Sequence, residues 1–420
     1  MRMRGLTRIA ILTVMASGAL LAAAAAAPSM RWIGTWGAAP EPAMPALKGF
    51  PGTPSFSDQT IRQQVRLAAG GARLRIRFTN AYGAKALHIG AASVALVGPK
   101  GEIEPGTQRI VTFSGARDAW IPAGAPYLSD AIELPVKALA TLSISIYLPD
   151  DTGPCTCHAT GEQTAYVSGR GDFVGKAFKP AQTLQSRAFI SGVYVQTARP
   201  AGAIVAFGDS ITDGIGSTVN ANRRWPDLLA DRLAARAGAK AWGVVNMGIS
   251  GNRVLNDGAG DSALRRFDRD VLSVPGVKYV ILFEGVNDLG LSYGQFASPF
   301  AKAFKMLRPA RRASAAALIA GYRQLIERAH SHGIKVLGAT ITPYGGSAYY
   351  SQQGNAQREL VNRWIRTSGA FDGVLDFDAV WRDPAHPNRI RLDLQRGDHL
   401  HGNDAGYRAL ARSIDLAVFK

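Results

Sequence analysis

Ser210, Asp398 and His401 are the side chains of this 420-residue protein whose types and spacing suit nucleophilic chemistry. A serine hydroxyl is a weak nucleophile until a base removes its proton, and a histidine does this best when a carboxylate holds its ring. Asp398 and His401 lie in Asp398-His399-Leu400-His401-Gly402-Asn403-Asp404. In a tight turn, that spacing sets the carboxylate against one ring nitrogen and leaves the other for the serine. His399 is the local competitor, and Leu400 is expected to anchor the loop in the core. Ser210 lies in Gly208-Asp209-Ser210-Ile211-Thr212-Asp213-Gly214, where the glycines permit a sharp turn and close backbone approach. Taken alone, Gly-Asp-Ser suits a helix cap.

Attack by serine on a carbonyl builds negative charge on the carbonyl oxygen, and fixed donors must await it. Two further segments offer them: Asn246-Met247-Gly248-Ile249-Ser250-Gly251-Asn252 and Gly285-Val286-Asn287-Asp288. The Gly251 N–H, the Asn287 side-chain amide and the Ser210 N–H are the candidate donors. Each segment taken singly reads equally as a polar loop turn. It is the four together, in order, that point to acyl transfer.

The elements that must position these residues follow from hydrophobic patterning. From Pro200 onward, short apolar strands (Ile204 to Phe207, Val244 to Met247, Tyr279 to Phe283, Lys335 to Thr340, Val374 to Phe377) alternate with longer helical stretches. Helices are expected near Trp225 to Ala237, Ala313 to His332, Asn355 to Thr367 and Asp404 to Val418. Such alternation predicts an α/β domain with a parallel sheet covered on both faces. Each of the four motifs falls where a strand is expected to end, the fourth just before the last helix. Ligands of open parallel sheets bind at the strands' carboxyl ends, so the motifs are expected to share one crevice.

From about Asp58 to Gln196 the period is two instead. Leu74, Ile76 and Phe78 alternate with Arg73, Arg75 and Arg77, and Leu142, Ile144, Ile146 and Leu148 alternate with small polar residues. This predicts an antiparallel β-sandwich. Gly70-Gly71 reads as a hairpin turn between Val65-Arg66-Leu67 and the Leu74 run, and the three arginines read as a basic stripe on an exposed strand face. The only cysteines, Cys155 and Cys157, are too few for a disulfide framework; they pair with each other or remain thiols. With His158 they lack a fourth ligand at recognisable spacing, so no metal and no cofactor are expected.

The four motifs together resemble those of the SGNH/GDSL hydrolases, over about 220 residues. The resemblance implies a flavodoxin-like three-layer hydrolase domain, with Ser210 as nucleophile, Gly251 and Asn287 at the oxyanion hole, and Asp398 with His401 as the D-x-x-H pair. Two positions depart from the family pattern: Ile211 replaces a leucine, and Gly402 a proline that commonly follows the histidine. Neither removes a catalytic atom. The α/β-hydrolase alternative needs G-x-S-x-G, and Thr212 stands where its second glycine would be. The amino-terminal half resembles the sandwich that precedes the catalytic domain in a bacterial subgroup of these esterases, including the start Trp32-Ile33-Gly34-Thr35-Trp36.

Residues 1–27 carry Arg2, Arg4 and Arg8 before an apolar run and an alanine tract, the pattern of a secretory signal. The expected organisation is therefore a signal at 1–27, a sandwich at 28–199 and a hydrolase domain at 200–420, exported to the periplasm or beyond. Removing the three signal arginines takes the formal charge from +17 to 17 − 3 = +14. That basicity suits an anionic envelope polymer or lipid headgroup as neighbour, and equally plain solubility. The basic residues are scattered rather than gathered in a nucleic-acid motif, and no second long apolar stretch suggests a membrane span. Tyr293 to Arg312 has Phe296, Phe300, Phe304 and Leu307 at helical spacing and reads as an amphipathic piece over the crevice or a plain packing helix. The expected activity is ester hydrolysis on an acetylated glycan or a short-acyl or lysophospholipid-like lipid. The alternatives are O-acyl transfer to a glycan and a non-catalytic carbohydrate-binding envelope protein.

Overall fold

The computed structural model describes residues 30–46, 52–99, 101–198, 200–236, 241–294 and 312–420. The signal segment and residues 295–311 of the expected amphipathic piece lie outside the described residues. The chain first builds two large antiparallel sheets, with two small two-stranded ones beside them among the described residues. One orders Arg31–Gly37, Ile190–Thr197, Arg73–Thr79 and Pro126–Leu128. The other orders Gln182–Leu184, Ala165–Arg170, Gln59–Arg66, Thr141–Leu148, Ala91–Leu96 and Arg109–Ile110. Period-two patterning explains the layering: Ile61 and Val65 from one sheet and Leu74, Ile76 and Phe78 from the other turn inward and share one core.

Two local expectations fail here. The strands on either side of Gly70-Gly71 belong to different sheets, so this is a crossover and not a hairpin. The Gly71 N–H bonds Val136 O instead of closing a turn. The arginine stripe is not a free solvated face: Arg73 bonds Gln196, Arg75 lies over the Trp32 ring, and buried Arg77 reaches Arg269 O in the second domain. Their partners come from distant segments, which alternation along one strand does not reveal.

Five parallel strands follow: Pro200–Gly208, Ala241–Gly248, Val277–Phe283, Lys335–Ala339 and Gly373–Leu375. Their spatial order is second, first, third, fourth, fifth, the flavodoxin-like arrangement. Helix Trp225–Ala234 packs with Asp404–Ser413, and Ala315–Ser331 with Gln352–Thr367. The Ala315–Ser331 helix shows why these segments coil. Ser314 caps its amino end by accepting from the Ala317 N–H, and Leu318, Tyr322, Leu325 and Ala329 recur at three- and four-residue spacing on the buried face. The last helix is shorter than expected, because fully buried Ile414 leaves the helical conformation and only a 3₁₀ turn at Leu416–Val418 follows.

The two halves meet along the first strand of the chain. Gly34 donates to Pro275 O at 2.9 Å. A Cβ at Gly243 would lie 1.8 Å from Gly34 O, so the backbones touch where a side chain would not fit. Arg66 pairs with Asp231 across the same junction, and Ala39 and Ala68 join the hydrolase core.

Candidate active site

Ser210 opens a four-residue helix, Ser210–Asp213, directly after the first parallel strand. Asp209 caps it, accepting from the Ile211 N–H at 3.0 Å. Gly208 cannot carry a side chain, since a Cβ there would meet Thr212 Oγ1 at 2.2 Å and Phe283 O at 2.5 Å. Glycine at 208 therefore lets two strand ends and the serine turn crowd together.

Of the two histidines in the last motif, the second reaches the serine. His401 Nε2 lies 2.8 Å from Ser210 Oγ, and His401 Nδ1 lies 2.7 Å from Asp398 Oδ2. Asp398 Oδ1 also accepts from the Leu400 and His401 N–H groups, at 2.9 and 2.8 Å. Partial burial pushes the Asp398 carboxyl up, but its bonds to His401 and these amides hold it well below the usual carboxylate range. Asp398 is thus an acceptor that orients the ring. Leu400 is buried, as an anchor must be, whereas His399 takes a left-handed backbone (φ 59°) and points its ring to Gln395. Gly402 packs beneath Trp381: a Cβ there would lie 2.8 Å from that ring. The space a proline would need is filled by tryptophan.

Gly251 has φ +81°, a conformation that favours glycine. Asn287 is the second residue of the helix Val286–Tyr293 and is buried; its Nδ2 donates to Asn252 O at 2.9 Å. Asn252 in turn donates from Nδ2 to Ala259 O and Asp261 O, so the loop that carries Gly251 and the helix that carries Asn287 are tied together.

Several supporting residues escaped sequence reasoning. Arg266, fully buried, donates to Met247 O, Gly208 O and Asn252 Oδ1 and pairs with Asp270 and Glu284. It therefore ties the ends of the first two strands to the loop that carries Gly251. Asp288 accepts from the Val254 and Leu255 N–H groups at 2.7 and 3.1 Å. Burial pushes Asp288 up to about 6 and Asp209 up to about 7, and it drives Glu284 well above its ordinary value. Asp288 was visible inside its motif. Arg266 had no motif, and only its helix, Ala263–Phe267, brings it to the site.

Comparison with known proteins bears on the same region. Residues 206–409 match the model of the GDSL-like Lipase/Acylhydrolase family. No curated protein matches. Among solved structures, the lipase/acylhydrolase from Enterococcus faecalis is 22% identical, with 50% of this chain and 92% of that one covered and a TM-score of 0.36. The native aryl esterase of M. smegmatis is 16% identical, covering 50% and 95%, with a TM-score of 0.38. An acetyl xylan esterase from Geobacillus stearothermophilus is 20% identical, covering 53% and 95%, with a TM-score of 0.38.

Proposed function

The chain belongs, through residues 206–409, to the GDSL-like lipase/acylhydrolase family and is an ester hydrolase; from that premise we propose that Ser210, His401 and Asp398 form its catalytic triad. Ser210 Oγ attacks the ester carbonyl carbon while His401 Nε2 takes the hydroxyl proton. The bond to the leaving alcohol then breaks as His401 returns that proton to the alcohol oxygen. Water attacks the resulting acyl-serine as His401 accepts its proton, and the acyl–Oγ bond then breaks as His401 passes that proton to Ser210 Oγ and the acid leaves. Asp398 keeps the ring oriented throughout and stabilises the imidazolium. The oxyanion receives the N–H groups of Gly251 and Ser210 and one Asn287 Nδ2 hydrogen. That amide has two hydrogens, and among the described residues Asn252 O engages one of them.

The observation that carries this reading is the unbroken chain from Ser210 Oγ through the His401 ring to Asp398, at 2.8 and 2.7 Å. The substrates we infer are carboxylic esters, either an acetylated glycan or a short-acyl or lysophospholipid-like lipid. Export after removal of residues 1–27 is part of the same proposal. Its supports are the basic and apolar order of that segment and the Cys155–Cys157 disulfide, a bond suited to an oxidising compartment.

The test joins mass spectrometry after a serine-directed phosphonate with kinetics on acetyl, butyryl, longer-acyl and acetylated-glycan esters. Ser210→Ala and His401→Ala are each expected to lower kcat by roughly 10⁴ to 10⁶, with little further loss when combined. A phosphonate on another residue overturns the assignment. Faster acyl transfer to an added sugar than to water replaces hydrolysis with transfer.

A further inference from the structure

His158 belongs to the sandwich half, yet it ends against the hydrolase site. It lies in the two-residue strand Cys157–His158, paired with Arg187–Ala188 and adjoining the Cys155–Cys157 disulfide, and it is 5% exposed. Its Nδ1 faces Ala39 O at 3.0 Å and Glu41 Oε1 at 3.2 Å. Its Nε2 faces Asp213 Oδ1 at 3.0 Å and Thr160 O at 3.2 Å. All four are acceptor oxygens. A neutral imidazole has one N–H and would turn a lone pair toward two of them, so this environment selects the doubly protonated ring.

Asp213 closes the helix that Ser210 opens. Its second oxygen accepts from the Ser250 N–H at 3.1 Å and from Ser250 Oγ at 2.6 Å. Ser250 directly precedes Gly251. One buried carboxylate therefore holds a cation from the sandwich on one side and the oxyanion loop on the other. Arg224 and Glu162 add their fields to the same carboxylate.

We propose that His158 is a positioning residue for ester hydrolysis: as an imidazolium it fixes Asp213, and Asp213 fixes the Ser250-Gly251 backbone whose N–H receives the oxyanion. This rests on the assignment of Gly251 as an oxyanion donor. His158 touches no reacting atom, so its loss should appear in transition-state stabilisation and not in substrate binding.

The experiment compares His158→Gln, Asp213→Asn, the double variant and Ser250→Ala in the full-length protein, on a chromogenic acetate ester, each checked for folding by near-ultraviolet circular dichroism. Loss of one oxyanion donor costs about 10² to 10³ in kcat, and a loosened donor should cost part of that. His158→Gln is therefore expected to lower kcat by roughly 10- to 100-fold, with KM unchanged within about twofold. The double variant should be little worse than Asp213→Asn, because both act through one carboxylate. Should His158→Gln not fold, Ser250→Ala tests the same link from the loop side and is expected to lower kcat severalfold. A folded His158→Gln with unchanged kcat, losses that multiply in the double variant, or an indifferent Ser250→Ala each overturns the inference. Phosphonate labelling of Ser210 separates the two levels: if Ser210 is labelled while kcat ignores these changes, only the His158 role fails, whereas an unlabelled Ser210 brings down the triad itself.

Discussion

Raising the pH should unlock the junction between the two halves through His158. Burial pushes this imidazole down, but the Asp213 and Glu41 carboxylates overcome it and raise it from 6.5 to about 10. Between those values the folded protein holds a proton that the unfolded chain has released. A group raised in the folded state contributes stability that is complete below its unfolded value and is lost as pH climbs through its folded value. The slope is one proton, about 1.4 kcal/mol per pH unit, which over this window accumulates to roughly 5 kcal/mol. Other groups titrate in the same range, so the informative quantity is the stability difference between wild type and His158→Gln, whose side chain does not titrate. Urea unfolding followed by tryptophan fluorescence at about pH 7 and 9 should show the wild-type advantage shrinking by roughly 3 kcal/mol. A difference constant to within about 0.5 kcal/mol would mean that the ring is neutral in the folded state and that the acceptor-only environment has been misread.

Asn287→Ala should lower kcat by roughly 10² to 10³ in acetate-ester assays, since it removes one donor while others remain. His399→Ala should keep near-wild-type kcat, because its ring turns toward Gln395 and away from the serine; a loss matching that of His401→Ala would reassign the base. Arg266→Ala should destabilise the fold by about 3–5 kcal/mol in urea titrations, because it removes the buried cation that Glu284 faces and that Asp270 shares with Arg269. Gly402→Ala should cost about 1–3 kcal/mol in thermal unfolding by forcing a methyl against Trp381.

What the sequence made legible was local. The strand-helix alternation after Pro200 appears as five parallel strands, each within a few residues of expectation, because a strand buried on both faces must be continuously apolar. Each of the four motifs gathers its candidate residues within a few adjacent positions, so short-range spacing put Ser210, Gly251, Asn287, Asp398 and His401 forward as candidates. The supports behind them were not legible. His158 and Asp213 are 55 positions apart and Arg266 and Gly208 are 58 apart, and no periodicity links such pairs. The Gly70-Gly71 signal failed for the same reason: whether two strands pair or part into facing sheets is decided by which neighbours compete for their edges. Here Thr141–Leu148 takes one and Ile190–Thr197 the other.

The meeting of Gly34 and Gly243 bears on how such a protein can be recombined. Side-chain interfaces tolerate exchange of one half because rotamers and volumes can readjust, but a backbone-to-backbone contact has nothing to readjust. A related hydrolase domain with alanine at the position of Gly243 would drive its methyl into Gly34 O. A fragment cut to the family-matched span, residues 206–409, would lack that contact, the Glu41 and His158 side chains and most of the first parallel strand. Sandwich and hydrolase thus fit as a matched pair, in which a side chain at either glycine would be opposed by a residue more than two hundred positions away.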